Sequence, residues 1–342
     1  MKRIFTSVLV ALVSCVSLFA VVTKVVKLKV TQTDGKDYEC VLSTVDSIKF
    51  SDGSYKDDGA LIVAAFKVSD TKSVYFSQGN LQFNAMQGTH KTADGNAKGM
   101  WRFAENQYDV IGEENKNVDS TYDGWIDLFG WGTSGWSSGA YCYQPWATST
   151  SYSDYYPDGG YSYNLIGTCA NADWGVYNAI SNGGDEPNKW RTLTMSEWKY
   201  LFKNNKWTLG YIKTTEKNSV LCFMLIPATF TAPEGITVEV IGTADLATDA
   251  SMEVTVPTNN KYTTEQFASL EKLGVVALPC GGYRNGTSVY NVGSIGYYWS
   301  SSANDSYYAY EFYFYSTRVK VLDNNGNTRY PGRSVRLVQD VP

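Results

Sequence analysis

The strongest constraint on the fold is a succession of short apolar segments, separated by Gly, Asn and Asp turns, that begins at Phe66. The segment SVYFSQGNLQF, residues 73–83, shows this pattern, because two strand-like runs flank a glycine-bearing turn. Only two segments have the apolar spacing and the capping residues of a helix. No repeat of fixed period is visible, which argues against a propeller or a solenoid. The sequence therefore predicts an α+β fold with mainly short antiparallel strands, two helices and long loops.

Both predicted helices begin with the same pair of capping residues. The helix expected over residues 194–203 starts at Thr194, and Glu197 follows three positions later. The helix expected over residues 263–273 starts with a Thr that is followed by Gln266 at the same spacing. This spacing is typical of a capping box, in which the two residues satisfy each other's backbone N–H groups.

The first 20 residues have the form of a secretory signal peptide. A cationic start, MKR, precedes the apolar run IFTSVLVALVSCVSLFAVV. The run is also about as long as a single membrane span, and LVSC at residues 12–15 resembles a bacterial lipobox, in which Cys15 would carry a lipid anchor. We expect an exported protein at the cell surface or outer membrane, either secreted or lipid-anchored.

Composition argues against several classes of function. The net charge is −5 without any basic block, so nucleic acid is not an expected partner. His90 is the only histidine, which leaves little support for a Ser-His-Asp or Cys-His site or for a histidine metal site. The cysteines after the leader are odd in number and lack C-x-x-C spacing, so neither zinc nor disulfides are implied: Cys40, Cys142, Cys169, Cys222 and Cys280. We predict no catalytic residues, no metal and no cofactor.

The chain is expected to carry a small β element before its main domain. Residues 26–50 contain two alternating stretches around Asp34-Gly35, a hairpin signature, and a third short strand, SIKF, at residues 47–50. The polar segment SDGSYKDDG at residues 51–59 is typical of a linker. We therefore divide the chain into a signal peptide (1–20), a β-hairpin element with its linker (21–58) and a main domain (59–342).

Five ordered motifs in the main domain resemble one family of exported proteins. They are WRFAENQYDVIG (101–112), DLFGWGTSGW (127–136), WRTLTMSEW (190–198), GYRNGTSVYNVGSIGYYWSSS (282–302) and GRSVRLV (332–338). Together they are similar to the Fibrobacter succinogenes major paralogous domain family and to related proteins of gut Bacteroidetes. The similarity covers about residues 66–338.

The order of RTLTxxEW, YWSS and RSVRLV also resembles the C-type lectin-like fold of formylglycine-generating enzymes. That fold implies pairing of the terminal strands, two helices and a long loop region that carries the ligand site. The enzyme's late reactive cysteine pair is not matched, since only Cys280 lies near that position. The variable proteins of diversity-generating retroelements look similar too, and their diversified segment ends in a fixed tail much like SVRLV.

The strand AYEFYFYS, residues 309–316, alternates between two faces. The residues expected to point inward are Tyr310, Phe312 and Phe314. We interpret Glu311 as marking the opposite face as solvent-exposed, which places Tyr313 and Tyr315 outward. Exposed aromatic clusters are typical of binding surfaces. The alternative is ordinary cross-strand packing of tyrosines.

Loops next to this strand have the Tyr, Ser and Asn composition of a binding surface. These loops are SSSANDSYY (300–308) and LDNNGNTRY (322–330), although solvated turns share that composition. The predicted ligand-binding residues are Tyr290, Tyr297, Asn304, Asp305, Tyr307, Glu311, Tyr313, Tyr315 and Arg329. The ligand would be an extracellular glycan or protein, and the segment could be diversified. The alternatives are a structural or adhesive surface subunit and, third, a glycan-active enzyme.

Two other motifs are assigned to structure rather than to binding. Glu186-Pro187-Asn188 matches the calcium and sugar triplet of C-type lectins, but it precedes the first predicted helix and no Trp-Asn-Asp partner follows, so we interpret it as a chance match. The tryptophans of GWIDLFGWGTSGW suit core and turn positions better than a sugar platform: Trp125, Trp131 and Trp136.

Overall fold

The computed structural model describes residues 56–88, 99–159, 163–242, 251–321 and 327–341, together with the backbone of 27–31 and 37–41. The chain divides into two units, residues 1–54 and 55–342. The leader with Cys15, the predicted strand at 47–50 and His90 all lie outside the described residues. Of the helices in the described ranges, none has the length and apolarity needed to span a membrane.

The first unit contains the predicted hairpin. Strand β1 (Lys27–Thr31) pairs antiparallel with β2 (Asp37–Val41), and Lys27 lies opposite Val41. The strands flank Asp34-Gly35, as the sequence predicts.

Short strands account for most of the regular structure in the second unit. They are β3 (Lys56–Asp57), β4 (Ala60–Leu61), β5 (Phe66–Lys67), β6 (Ser73–Phe76), β7 (Leu81–Asn84), β8 (Met100–Phe103), β9 (Arg191–Thr192), β10 (Lys206–Lys213), β11 (Ser219–Ile226), β12 (Ser251–Glu253), β13 (Lys261–Thr263), β14 (Val276–Pro279), β15 (Tyr283–Asn285), β16 (Ser288–Tyr290), β17 (Ile295–Ala303), β18 (Tyr308–Tyr315), β19 (Arg318–Val321), β20 (Asn327–Thr328) and β21 (Leu337–Asp340). The α-helices of the described ranges are α1 (Trp174–Tyr177), α2 (Met195–Asn204) and α3 (Thr264–Glu271). Short 3-10 helices cover Gly112–Lys116, Tyr152–Tyr155, Pro157–Gly159 and Gly167–Ala172. The class is α+β, as predicted, and the sheets do not close into a barrel.

Three larger sheets organise this unit. The first has the order β5-β6-β21-β9, so the early strand β6 pairs with the last strand β21, and Phe76 lies opposite Val338. The second has the order β13-β10-β11-β14, and its β10–β13 pair is parallel. The third has the order β12-β19-β18-β17 and is antiparallel throughout, with β20 added to β18. The two-stranded sheets are β3-β4, β7-β8 and β15-β16.

The predicted capping boxes start both longer helices. At α2, the Thr194 hydroxyl accepts a hydrogen bond from the backbone N–H of Glu197, and the Glu197 carboxylate accepts one from the Thr194 N–H. Thr263 and Gln266 form the same arrangement at α3. Helix α3 ends before the predicted residue 273, because the chain turns at Gly274 with φ +87°. A glycine there avoids the strain of left-handed backbone, and a Cβ would lie 2.6 Å from the Cβ of Ala64.

Residues 56–61 form a tight hairpin, although 56–59 fall in the predicted linker. Strands β3 and β4 pair around Asp58-Gly59, and both turn residues have positive φ, 44° and 78°. That conformation suits an Asp-Gly turn between paired strands.

The third sheet lies between two apolar layers. On its inner face, Phe312 packs against Trp198 and Phe202 of α2 and against Phe223 of β11, with ring centroids 4.6–5.6 Å apart. On the other face, the second layer contains Trp131, Trp299 and Ala309. Trp198, Val335 and Leu337 are all buried, as are the predicted inward residues Phe312 and Phe314. Tyr310, predicted to point inward with them, is half-buried and packs against the same core.

Candidate ligand-binding surface

The outer face of β18 is buried at the start of the strand and partly exposed to solvent, or open, toward its end. Strands β17, β18 and β19 place Tyr297 opposite Tyr313, and Tyr313 opposite Lys320. Toward the start of β18, Ala309 and Glu311 are buried, whereas Tyr313 and Tyr315 are only half-buried. The open part of the face is therefore the half of the strand that ends at Tyr315.

The prediction that Glu311 faces solvent is wrong. Its side chain is 2% exposed, and its Oε2 lies 2.6 Å from Nε of Arg333. In addition to this ion pair, Asn327 donates a hydrogen bond to Oε1 at 2.9 Å. The segment that carries Arg333 pairs with Phe129 and lies next to β17. This segment covers the part of the sheet that contains Glu311. A carboxylate can occupy such a position because a cation and a hydrogen-bond donor replace its water.

Arg329 is also buried and does not border a ligand directly. Its Nη2 donates a hydrogen bond to the backbone oxygen of Asp305 at 2.6 Å. Its guanidinium lies 4.6 Å from the ring centroid of Trp131 and 5.3 Å from that of Tyr156. Burial lowers the pKa of Arg329 to about 10. The residue supports the turn between β17 and β18 from beneath, so it positions this surface without forming it.

Five tyrosines form a continuous row that starts on the β15-β16 hairpin and ends on the open half of the face, and we call them the tyrosine stack. They are Tyr290, Tyr283, Tyr297, Tyr313 and Tyr315, in order of contact. Successive ring centroids are 5.2–6.5 Å apart. Tyr290 is 45% exposed and the other rings are half-buried. Four of the five were predicted. Tyr283 was missed, although the motif GYRNGTSVY places it seven residues before Tyr290, on the partner strand of a hairpin.

Two cations hold rings of the stack in place. The Arg333 guanidinium lies 4.3 Å from the ring centroid of Tyr297, and the Lys320 ammonium lies 5.8 Å from that of Tyr313. Burial raises the pKa of Tyr297 to about 12, so its hydroxyl stays protonated at neutral pH and can donate a hydrogen bond. The stack thus presents fixed aromatic rings with polar ends, which is the composition of many binding surfaces.

The remaining predicted residues belong to a second aromatic group, which we call the Tyr307 cluster. It contains Tyr152, Tyr156, Tyr307 and Tyr308. Asp305 shapes the turn, because its Oδ1 accepts hydrogen bonds from the backbone N–H groups of Tyr307 and Tyr308. Asn304 accepts one from the Tyr310 hydroxyl at 2.6 Å. Sequence reasoning missed the first two tyrosines, yet the segment STSYSDYYPDGG (149–160) has the same Tyr and Ser composition as the predicted loops.

The seven predicted residues that reach the surface therefore form two groups rather than one, while Glu311 and Arg329 are buried. The Tyr307 cluster meets β18 at its first residue, Tyr308. The nearest residue of the tyrosine stack on this strand is Tyr313, and the five strand steps between them span about 17 Å. The buried Glu311–Arg333 pair lies between the two groups.

The motifs assigned to structure also have defined positions. Glu186 and Asn188 are exposed in the loop before β9, and within the described ranges no group of three His, Cys, Asp or Glu side chains could hold a metal ion. Trp131 is buried, as predicted, while Trp125 and Trp136 are half-buried. Four cysteines of the described ranges are free thiols: Cys142, Cys169, Cys222 and Cys280.

Comparison with known proteins gives a match to a family model. A family model described as a domain of unknown function, DUF8237, matches residues 189–338, a region that includes the whole tyrosine stack. No curated protein and no solved structure matches the chain.

Proposed function

We propose that this chain is an exported protein of the bacterial cell surface that binds an extracellular glycan or protein through its tyrosine stack. The observation that carries the proposal is the stack itself, five partly exposed rings arranged on adjacent strands above a packed core. Rigid tyrosines supply contact area with little loss of side-chain entropy, and such residues are frequent binding hot spots. Export rests on the cationic and apolar leader.

We further propose that the second unit has a C-type lectin-like fold. Three features support this assignment: the pairing of β6 with the last strand β21, the two capped helices α2 and α3, and the long stretch with little regular structure between β8 and β9. The resemblance implies that a long loop region carries the ligand site, whereas the proposed tyrosine stack lies on the late strands. A neighbouring near-copy of the DNA for residues 285–338, differing mainly at adenines and lying beside a reverse transcriptase gene, would show that the segment is diversified.

A crossed set of substitutions tests the binding proposal. Tyr313→Ala and Tyr315→Ala each remove a half-buried ring and should cost about 1 kcal/mol of stability. Phe312→Ala removes a fully buried ring and should cost about 3–5 kcal/mol. Ligand capture from an array of glycans and cell-surface proteins should fall by about 2 kcal/mol, roughly 30-fold, in the tyrosine variants. Thermal melts and array binding measure the two effects separately.

The control is Tyr200→Ala, which removes a half-buried tyrosine of α2 that lies outside both aromatic groups. It should leave capture unchanged. If the tyrosine variants destabilise the fold as much as Phe312→Ala, or retain capture, the stack is packing and the proposal fails. Concentration-dependent self-association that Tyr313→Ala abolishes, without any captured ligand, would instead favour a structural subunit.

A further inference from the structure

Two tyrosines of the Tyr307 cluster are closer to each other than the remaining ring pairs of the two aromatic groups. The ring centroids of Tyr152 and Tyr307 are 4.2 Å apart with an interplanar angle of 49°. The other tyrosine pairs in the cluster and in the stack have centroids 5.2–6.5 Å apart. The neighbouring Tyr307 hydroxyl raises the pKa of Tyr152. The hydroxyl ends of the rings therefore face each other.

Hydrogen bonds fix the backbone near both tyrosines, and both rings are at least partly exposed to solvent. Tyr307 is 46% exposed, and its backbone N–H is fixed by the Asp305 carboxylate at 2.7 Å. Tyr152 is half-buried and begins a 3-10 helix whose Asp154 is hydrogen-bonded to Ser149 and to the backbone of Cys142. The pair is thus both positioned and accessible to a reagent from outside.

We propose that Tyr152 and Tyr307 are a modification site at which oxidation joins the two rings into dityrosine. The geometry matches the product, because a carbon–carbon bond between the ring positions next to each hydroxyl leaves the two hydroxyls side by side. In the native protein the two ring centroids are already 4.2 Å apart. The inference is independent of the proposed ligand.

The oxidant is a haem peroxidase acting with hydrogen peroxide. Each phenol loses one electron and one proton to give a phenoxyl radical, and the two radicals couple at the ring carbons next to the oxygens. Each of these carbons then transfers its hydrogen to the neighbouring oxygen, which restores both aromatic rings. Hydrogen peroxide takes up the two electrons and two protons and becomes two molecules of water.

The cross-link would covalently join the 3-10 helix that begins at Tyr152 to the turn between β17 and β18. These residues are far apart in the sequence, so the link closes a long loop in the unfolded chain and should stabilise the folded state. It would also fix the rim of the surface near Asn304 and Asp305.

The test treats dilute full-length protein with a haem peroxidase and limiting hydrogen peroxide. We expect a monomer that has lost two hydrogen masses, gains dityrosine fluorescence, melts at a higher temperature and yields one cross-linked peptide pair containing residues 152 and 307. Tyr152→Phe and Tyr307→Phe should each abolish this product, because phenylalanine forms no phenoxyl radical. The matched control is Tyr290→Phe, at an equally exposed ring of the stack, and it should retain the product.

Three results would overturn the proposal: only intermolecular dityrosine, an intramolecular link between other tyrosines, or an undiminished yield in Tyr307→Phe. The phenylalanine variants keep the ring and the packing, so a normal melting curve before oxidation shows that they are folded.

Discussion

The buried pair of Glu311 and Arg333 allows a quantitative test of how the binding face is built. Both side chains are at most 4% exposed, so neither can regain water when its partner is removed. Breaking a buried ion pair from one side costs about 3–5 kcal/mol. The Arg333 guanidinium keeps its contacts with the rings of Tyr297 and Trp299, at 4.3 and 5.1 Å, which offsets part of the loss. We therefore expect Glu311→Ala to cost about 3 kcal/mol.

Urea denaturation followed by tryptophan fluorescence measures this cost, because several tryptophans lie in the adjoining core. Glu311→Gln, which keeps the shape and the bond from Asn327 but removes the charge, should cost less, about 1–2 kcal/mol. A double-mutant cycle with Arg333→Met should show that much of the loss is coupling between the two residues. The exposed ion pair of Lys213 and Glu216 is the control, and Glu216→Ala should leave the midpoint unchanged.

A cost below about 1 kcal/mol for Glu311→Ala would refute this reasoning, since that value is typical of a solvated surface pair. The same variant carries a second expectation. Without the Glu311 carboxylate, the Arg333 guanidinium is held only by its ring contacts and supports the Tyr297 ring less firmly. Ligand capture should therefore weaken even at temperatures where the variant is folded.

Three further predictions concern the scaffold. Leu337→Ala should lower the free energy of unfolding by about 2–5 kcal/mol in chemical denaturation. The Leu337 side chain is fully buried, and its strand β21 pairs with β6 and β9. Thr194→Ala should cost about 1 kcal/mol by the same assay through loss of the helix cap, whereas Thr194→Ser should cost little. Burial raises the pKa of Asp127 to about 6, despite hydrogen bonds from Ile111 and Asn115. A raised folded-state pKa means that the native state binds the proton more tightly, so this group's contribution to stability is present below about pH 4 and is lost as the pH rises through about 6. The free energy of unfolding of the Asp127→Asn variant should therefore lack this decline, which is measured by comparing the variant with the unchanged protein between pH 4 and 7. Equal dependence on pH in the two proteins would contradict the raised pKa.

Local patterns were sufficient for the helices and for the inner face of β18. A capping box lies within four consecutive residues, so Thr194 and Thr263 identify both helix starts without tertiary information. Alternation with period two likewise identifies Phe312 and Phe314 as core residues. These features depend on contacts close in the sequence, or on a periodicity that any strand with one buried face must show.

The outer face could not be predicted in the same way, because its burial depends on distant segments. Glu311 is covered by a segment 22 residues later and by a loop containing Phe129, and no pattern in AYEFYFYS encodes either. The contact between Tyr152 and Tyr307 joins a loop to a turn across most of the second unit. Composition showed that such loops suit a binding surface, but only the fold shows which of them meet.

On the proposed function, the arginines near the C-terminus would let exposed side chains of the binding face change without loss of its support. Three of them occur within eight residues, RYPGRSVR, and all are buried: Arg329, Arg333 and Arg336. Arg329 donates to the backbone oxygen of Asp305, and Arg336 to that of Ala277. Arg284 does the same for the backbone oxygens of Ala147 and Leu128.

A backbone carbonyl is present whatever side chain the residue carries, so these bonds do not depend on the identity of the loop residue that accepts them. The turn at Asp305 and the loop at Ala147 could therefore change their exposed side chains and keep these anchors. Two buried side chains are exceptions, since Arg333 needs the Glu311 carboxylate and Arg336 also donates to the Gln107 side chain. On the proposed function, sequence differences among binding faces built on this scaffold should fall on exposed positions such as Tyr290, Tyr307 and Tyr313, whereas a change at Glu311 should cost the fold as well as the ligand.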